Sequence, residues 1–236
     1  MTWAMHPPGD CLAILRSMPD RSVDHVITDP PYDARTHKAG NAMRMTSNGV
    51  ADLTIPFAPL EDFNIIAECL RVSRRWCLFF CSFLDVHKYE QVDPAAWVRC
   101  GIWDRPDGAP QFTGDRPAQG GEGIAILHAP GKKRWNGGGK RGIWRHGVER
   151  EDREHPTQKP IKLMLELLRD FTDPGETILD PFAGSGTTGV AALRLGRSFV
   201  GCELDPKFHA FATERLAAEA SGNTLDGMRA GQGVLF

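Results

Sequence analysis

The chain has 236 residues, 41% of them hydrophobic and 25% charged, with a formal net charge of −2. The length suits one large α/β domain, the proportions are ordinary for a globular protein, and the charge balance argues against a wholly basic binder. Residues 1–10 are mixed and proline-containing, unlike a signal peptide, and nothing approaches the run of about 18 apolar residues needed to cross a bilayer, so a soluble protein without membrane contact is expected.

In chain order, residues 23–28 (VDHVIT) read as a buried strand ending at Asp29. Residues 60–72 carry apolar side chains at positions 60, 63, 65, 66, 67 and 70, which predicts an amphipathic helix. Residues 75–82 (RWCLFFCS) read as the next buried strand, and 83–91 begin another helix. Strands are expected over 97–105 and 123–130 (GIAILHAP), flanking a Pro/Gly/Gln-rich stretch, 106–122. A long irregular loop inside a compact domain is usually functional. Residues 160–171 predict a helix with Pro160 in its first turn. Strand 176–179, helix 187–195 stopped by Gly196, strand 198–201 and helix 206–219 follow, and 220–236 read as an irregular tail. Apolar runs alternating with helical patterns are the signature of a parallel α/β sheet.

Six cysteines (Cys11, Cys69, Cys77, Cys81, Cys100 and Cys202) are scattered, mostly in apolar segments, and none is spaced for zinc. They read as reduced structural thiols of a cytosolic protein, with no metal. Trp76, Trp97 and Trp103 read as core. Residues 131–147 (GKKRWNGGGKRGIWRHG) hold Lys132, Lys133, Arg134, Lys140, Arg141 and Arg145 without an acid, which suggests a local polyanion contact, the alternative being a solvated loop.

Two motifs carry chemistry. Asp29-Pro30-Pro31-Tyr32 follows the first buried strand. Two prolines stiffen the corner and remove two N–H donors. The Asp29 carboxylate and Pro30 carbonyl then form a pair of acceptors suited to an –NH2 group, and Tyr32 offers a stacking face. A plain proline turn is the alternative.

The second motif, Asp180-Pro181-Phe182-Ala183-Gly184-Ser185-Gly186-Thr187-Thr188, joins a strand to a helix. Its small residues let the backbone approach a ligand, and a helix start favours negative groups. No lysine follows Gly186, so a phosphate-binding P-loop is excluded. The next strand ends near Glu203, where an acid in a dinucleotide fold grips ribose hydroxyls.

Together these residues resemble the permuted (β-class) DNA amino-methyltransferase family, in which DPPY precedes FxGxG with the target-recognition region between them. Gly9-Asp10-Cys11 and His155-Pro156-Thr157-Gln158-Lys159-Pro160 match two further family segments. The resemblance runs from Gly9 to about Leu216. It implies a Rossmann-like, S-adenosylmethionine-dependent α/β fold: a mostly parallel seven-stranded sheet with helices on both faces. One domain, 1–236, would contain a loop-rich target-recognition insertion at 105–153. Residues 2–5 would supply a short strand completing one half of the sheet.

The resemblance also implies roles. Asp29, Pro30, Pro31 and Tyr32 would be catalytic, with Asp29 and the Pro30 carbonyl binding the two hydrogens of adenine N6 and Tyr32 stacking on the flipped base in double-stranded DNA. Asp29, Asp180, Phe182, Ala183, Gly184, Ser185, Gly186, Thr187 and Thr188 would line the S-adenosylmethionine pocket. Glu203, beside Leu204, would hold the ribose, and Asp10, beside Cys11, the cofactor's adenine. Lys159, with Thr157 or His155, would hold its methionine carboxylate.

In this setting Lys132, Lys133, Arg134, Trp135, Lys140, Arg141, Trp144 and Arg145 are expected to touch DNA, as are Arg35, His37 and Lys38 of a polar segment after the catalytic corner. A homodimer fits the resemblance, and Gln232-Gly233-Val234-Leu235-Phe236 is similar to peptides that bind bacterial sliding clamps, against the alternative of a tail packed on its own domain. The expected setting is a bacterial or phage-infected cytoplasm, near the nucleoid. N4-cytosine methylation is the nearest alternative, although its enzymes usually carry Ser in place of Asp29. A catalytically silent DNA-binding protein of the same fold is the alternative from another class.

Overall fold

The computed structural model describes residues 2–31, 63–108, 110–147, 158–223 and 225. Its strands are β1 (Trp3–Met5), β2 (His25–Thr28), β3 (Trp76–Cys81), β4 (Trp97–Asp104), β5 (Gly121–His128), β6 (Ile143–Arg145), β7 (Thr177–Asp180) and β8 (Ser198–Gly201). Its helices are α1 (Cys11–Ser17), α2 (Asn64–Val72), α3 (Val86–Val92), α4 (Ile161–Phe171), α5 (Thr187–Arg194) and α6 (Pro206–Ala220). The strands form one sheet in the order β1-β8-β7-β2-β3-β5-β4-β6, in which β5 runs antiparallel to both its neighbours. Every other pairing is parallel.

The expected α/β class holds, and the strands match their sequence ranges to within two residues. Strand β3 shows why the sheet is covered on both faces. All six of its residues are buried. Trp76, Leu78 and Phe80 pack on one side with α4 and α5, whereas Cys77, Phe79 and Cys81 pack on the other with α1, α2 and Tyr89 of α3. The two-residue period of a strand distributes one apolar run between two cores. Helix α4 answers with Leu163, Met164, Leu167, Leu168 and Phe171, one helical stripe buried against the sheet.

Among the described residues the sheet has eight strands rather than seven, and the one not expected, β6, is drawn from the basic segment. Trp144 anchors it: the side chain is 1% exposed, packs on Phe171 and donates from Nε1 to Asp170 at 2.7 Å. Gly101 makes the space, since a Cβ there would lie 2.6 Å from Trp144 Cζ3. Helix α1 is a second element not foreseen; Asp10 caps it by accepting from Leu12 N at 3.1 Å.

Strands β2 and β7 are central neighbours that begin the two halves of the sheet. From β7 the chain passes through α5 to β8 on one side, where the N-terminal strand β1 lies beyond it, and from β2 it proceeds through α2 to β3 on the other. The strand order therefore reverses between them, and a crevice opens beyond their carboxyl ends.

Candidate active site

Asp29 and Asp180 end adjacent strands and stand at this crevice. Thr28 Oγ1 donates to Asp180 Oδ1 at 2.6 Å, joining the two motifs across about 150 residues of chain. Asp180 is buried, and burial pushes its carboxyl up to about 6, against the hydrogen bonds from Thr188, Thr28 and the Phe182 amide that favour the ionised form. Phe182 N donates to the same oxygen, so Asp180 serves as the brace on which the glycine loop turns.

That loop is fixed by its own backbone. Ala183 N donates to Cys202 O and Gly186 N to Ala183 O, while Arg215 Nη1 from α6 donates to Ser185 O at 2.6 Å. Gly184 and Gly186 have φ of 52° and 77°, the left-handed region in which glycine is favoured. A Cβ on Gly184 would find nothing closer than Phe182 O at 4.0 Å, so the space above the loop is open to a ligand. Thr187 and Thr188 are buried where α5 begins, and Ser185 pairs with Thr187.

Glu203 stands just past β8. Its Oε2 accepts from Gly184 N at 2.8 Å and its Oε1 from Asp205 N at 2.9 Å, which aims the carboxylate over the loop. Gly9 N reaches Glu203 O, so Asp10 and Cys11 arrive at the same edge. Leu204 beside them is exposed. Burial, then Asp10, push the Cys11 thiol up to about 12, which leaves it a neutral packing group. All six cysteines are free; four are buried and Cys11 and Cys100 half-buried, as the sequence led us to expect.

On the other side of the crevice Lys159 Nζ lies 2.9 Å from Asp29 Oδ2 and 2.8 Å from Glu122 Oε2. Glu122 enters β5 at the same edge because β5 is reversed, and Arg105 holds its Oε1 at 3.1 Å. Sequence reasoning missed Thr28, Glu122 and Arg105. Thr28 had a signal, a polar residue closing an apolar strand; Glu122, within a Gly/Pro-rich stretch, had none.

The structure divides the basic segment between two places. Residues 132–135 lie at the opposite edge of the sheet, because β5 leaves the core there. Arg134 O accepts from Trp76 Nε1 at the start of β3, and its guanidinium pairs with Asp173 at 2.9 Å. A six-residue strand separates this edge from the crevice by roughly 17 Å. Lys132, Lys133, Arg134 and Trp135 are thus placed away from the Asp29 corner, with Trp135 packed on Phe171. Lys140 is engaged by Glu166 and Asp170 of α4, and Trp144 is core. Arg141 is exposed. Arg145, paired with Asp104 at the carboxyl end of β4, is at the crevice side. The stretch from β4 to β5, described over 105–108 and 110–120 and largely exposed, projects from that side too, with Phe112 88% exposed. Tyr32, Arg35, His37, Lys38, His155, Thr157 and residues 232–236 lie outside the described residues, and Pro30, Pro31 and Lys159 lie within them. Among the described residues no cluster of three or more His, Cys, Asp or Glu is arranged for a metal, and no helix is long and apolar enough to cross a membrane.

An acidic corner and a glycine loop at adjacent strand ends of an open α/β sheet define a Rossmann-like protein that works at its switch point. More narrowly, the chain belongs to the N6/N4 methyltransferase family (DNA methylase), whose model matches residues 23–214. It is 28% identical over 243 residues to the type II methyltransferase M.HinfI of Haemophilus influenzae, covering 88% of this chain and 67% of that protein. The fold matches the crystal structure of the M1.HpyAVI–SAM complex with a TM-score of 0.70 at 24% identity, covering 91% of this chain and all of that one. It also matches the cytosine-N4-specific PvuII DNA methyltransferase with a TM-score of 0.66 at 14% identity, over 95% and 94% of the two chains.

Proposed function

We propose that this protein methylates the exocyclic amino group of a DNA base, adenine N6, with S-adenosylmethionine as donor. The observation that carries the reading is the Thr28–Asp180 hydrogen bond, which sets the Asp29 acceptor corner directly beside the glycine loop. The residues present fit the donor: open space above Gly184, and Glu203 and Asp10 at one strand edge with carboxylates suited to ribose and adenine. A structural relative bound to the same compound supports the choice. Tyr32, His155 and Thr157 keep their proposed roles of base stacking and cofactor contact.

When bound, the donor would supply an electrophilic methyl carbon on a sulfonium; transfer to the amino nitrogen would leave the S–C electron pair on sulfur as a neutral thioether and release one amino proton to solvent. The chain's own part is positioning. Asp29 and the Pro30 carbonyl accept the two amino hydrogens, which localises the nitrogen lone pair and points it at the loop. Arg145, Arg116 and the 105–120 loop replace residues 132–135 as the proposed DNA contacts, because they share the crevice edge.

N4-cytosine methylation is the second reading, favoured by the likeness to a cytosine-N4-specific enzyme; Asp29 rather than Ser supports adenine. Nucleoside mass spectrometry of unmethylated DNA incubated with protein and S-adenosylmethionine separates them. N6-methyladenine that disappears with Asp29→Ala is expected. N4-methylcytosine would reassign the base, and no methylated base despite bound cofactor would reject the reading.

A further inference from the structure

The position of Lys159 differs from a simple cofactor contact. Its ammonium bridges Asp29 and Glu122 at 2.9 and 2.8 Å, and its side chain is buried. The rings of Phe80 and Trp103 stand 4.9 and 5.3 Å from Nζ. Beyond Glu122 the chain of charge continues to Arg105, whose guanidinium lies 5.4 Å from the Trp103 ring. Four groups from four places in the sequence, Arg105, Glu122, Lys159 and Asp29, thus alternate in sign and sum to zero. A methionine carboxylate brought onto the same ammonium would set three carboxylates around one cation that already has two partners, in a desolvated place.

We propose that Lys159 is a positioning residue that fixes the plane of the Asp29 carboxylate for the target amino group, with Glu122 as the counter-charge that holds Lys159 in place. This rests on the reading of the site as an amino-methyltransferase centre. Asp29 is an acceptor on a short side chain whose carboxyl plane rotates readily. A bond of 2.9 Å from a buried ammonium stops that rotation and sets a positive charge against the carboxylate; among the described residues Asp180 and Tyr89 also interact with it electrostatically. Burial alone would lower the lysine's affinity for its proton, but Asp29 and Glu122 outweigh it and hold Lys159 charged.

The test compares wild type with Lys159→Met, Lys159→Arg and Glu122→Gln. Cofactor Kd is measured by calorimetry, kcat at saturating DNA and cofactor across pH, and the titration of the Asp29 carboxyl carbon by NMR. Lys159→Met is expected to lower kcat about 10- to 100-fold, the scale of one charge-assisted hydrogen bond. Its cofactor Kd should stay within about twofold, and both the Asp29 titration and the acid limb of kcat should move to higher pH. Lys159→Arg recovers part of the rate. Glu122→Gln moves the Asp29 titration the other way, because the ammonium is no longer shared.

A Lys159→Met enzyme with unchanged kcat at saturation and a cofactor Kd raised tenfold or more would overturn the proposal in favour of a carboxylate ligand. Unchanged kcat and an unchanged Asp29 titration, with only a lower Tm, would reduce Lys159 to a structural strut and equally overturn it. A wild type that methylates no DNA rejects the parent reading alone, and the NMR titrations still decide whether Lys159 and Glu122 govern Asp29. Should Lys159→Met not fold, the Glu122→Gln shift decides.

Discussion

Thr28 gives its hydroxyl hydrogen to Asp180 across 2.6 Å, and through that bond the end of β2 is tied to the end of β7. The acceptor belongs to a buried carboxyl titrating near 6. Thr28→Val keeps the shape of the side chain and removes the donor, so Asp180 should become harder to ionise and the glycine loop less firmly braced. The cofactor Kd is expected to rise about 5- to 10-fold near pH 7, roughly 1 kcal/mol for one hydrogen bond, and to recover partly as pH increases. Equilibrium dialysis at pH 6.5 and 8.5 checks this; a Kd identical to wild type at both would separate the bond from cofactor binding.

Glu176 titrates the other way. Burial raises its carboxyl, but the hydrogen bond from His25, the Asp173 amide and Arg75 hold it down at about 2, against 4.5 when exposed. A folded-state value below the unfolded one contributes stability that is complete above about 4.5 and is lost as pH falls towards 2. Glu176→Gln should therefore cost roughly 3 kcal/mol at pH 7 and almost nothing at pH 2. Urea midpoints across that window give the answer.

Trp144 closes the core under α4, and Trp144→Ala is expected to destabilise the fold by about 3–5 kcal/mol. Gly101→Ala should also destabilise, because its Cβ would stand 2.6 Å from the Trp144 ring. Thermal unfolding of both variants measures the effect. A Trp144→Ala protein of unchanged Tm with reduced DNA affinity would restore the contact role that its burial removes.

For DNA binding, the two edges of the sheet make opposite predictions. Lys132→Ala and Lys133→Ala should leave affinity within about twofold, since these residues stand roughly 17 Å from the crevice. Arg145→Ala and Arg116→Ala should weaken binding and lower the slope of log K against log salt by about 1 each. Fluorescence anisotropy over a salt series distinguishes the groups.

Gly186 holds φ of 77°, and a Cβ there would meet that of Ala212 at 3.1 Å. Gly186→Ala should cost about 1–2 kcal/mol in backbone strain alone, with a larger fractional loss of cofactor affinity, because the loop must move. Calorimetry against Tm separates the two contributions.

Much of this molecule was legible in its sequence because its signals are local. A strand buried on both faces, such as β3, is a run of apolar residues, and the loop 181–186 announces itself by its small residues between a strand and a helix. What stayed hidden depends on distant partners. Strand β6 has three residues, Ile143–Arg145, in a Gly/Arg-rich stretch; it exists because Gly101, about 40 positions earlier, leaves room for one indole. The basic segment reads as one surface in sequence, yet Lys140 meets acids of α4, while residues 132–135 are carried to the far edge by the reversed strand β5. Glu122 is a polar residue in a polar stretch until that same reversal delivers it to Lys159.

The pairing of β2 with β7 and of β1 with β8 also imposes a timetable on biosynthesis. Trp3 has its partner at Phe199 and Val26 has one of its partners at Leu179, so nearly the whole chain must leave the ribosome before the middle of the sheet closes. Until then the edge of β2 that β7 will cover has no partner, and an unpaired apolar strand edge is a template for aggregation. Catalytic competence arrives last, when the final third of the polypeptide docks. A truncated translation product therefore holds the acidic corner without its glycine loop and remains inert towards the genome.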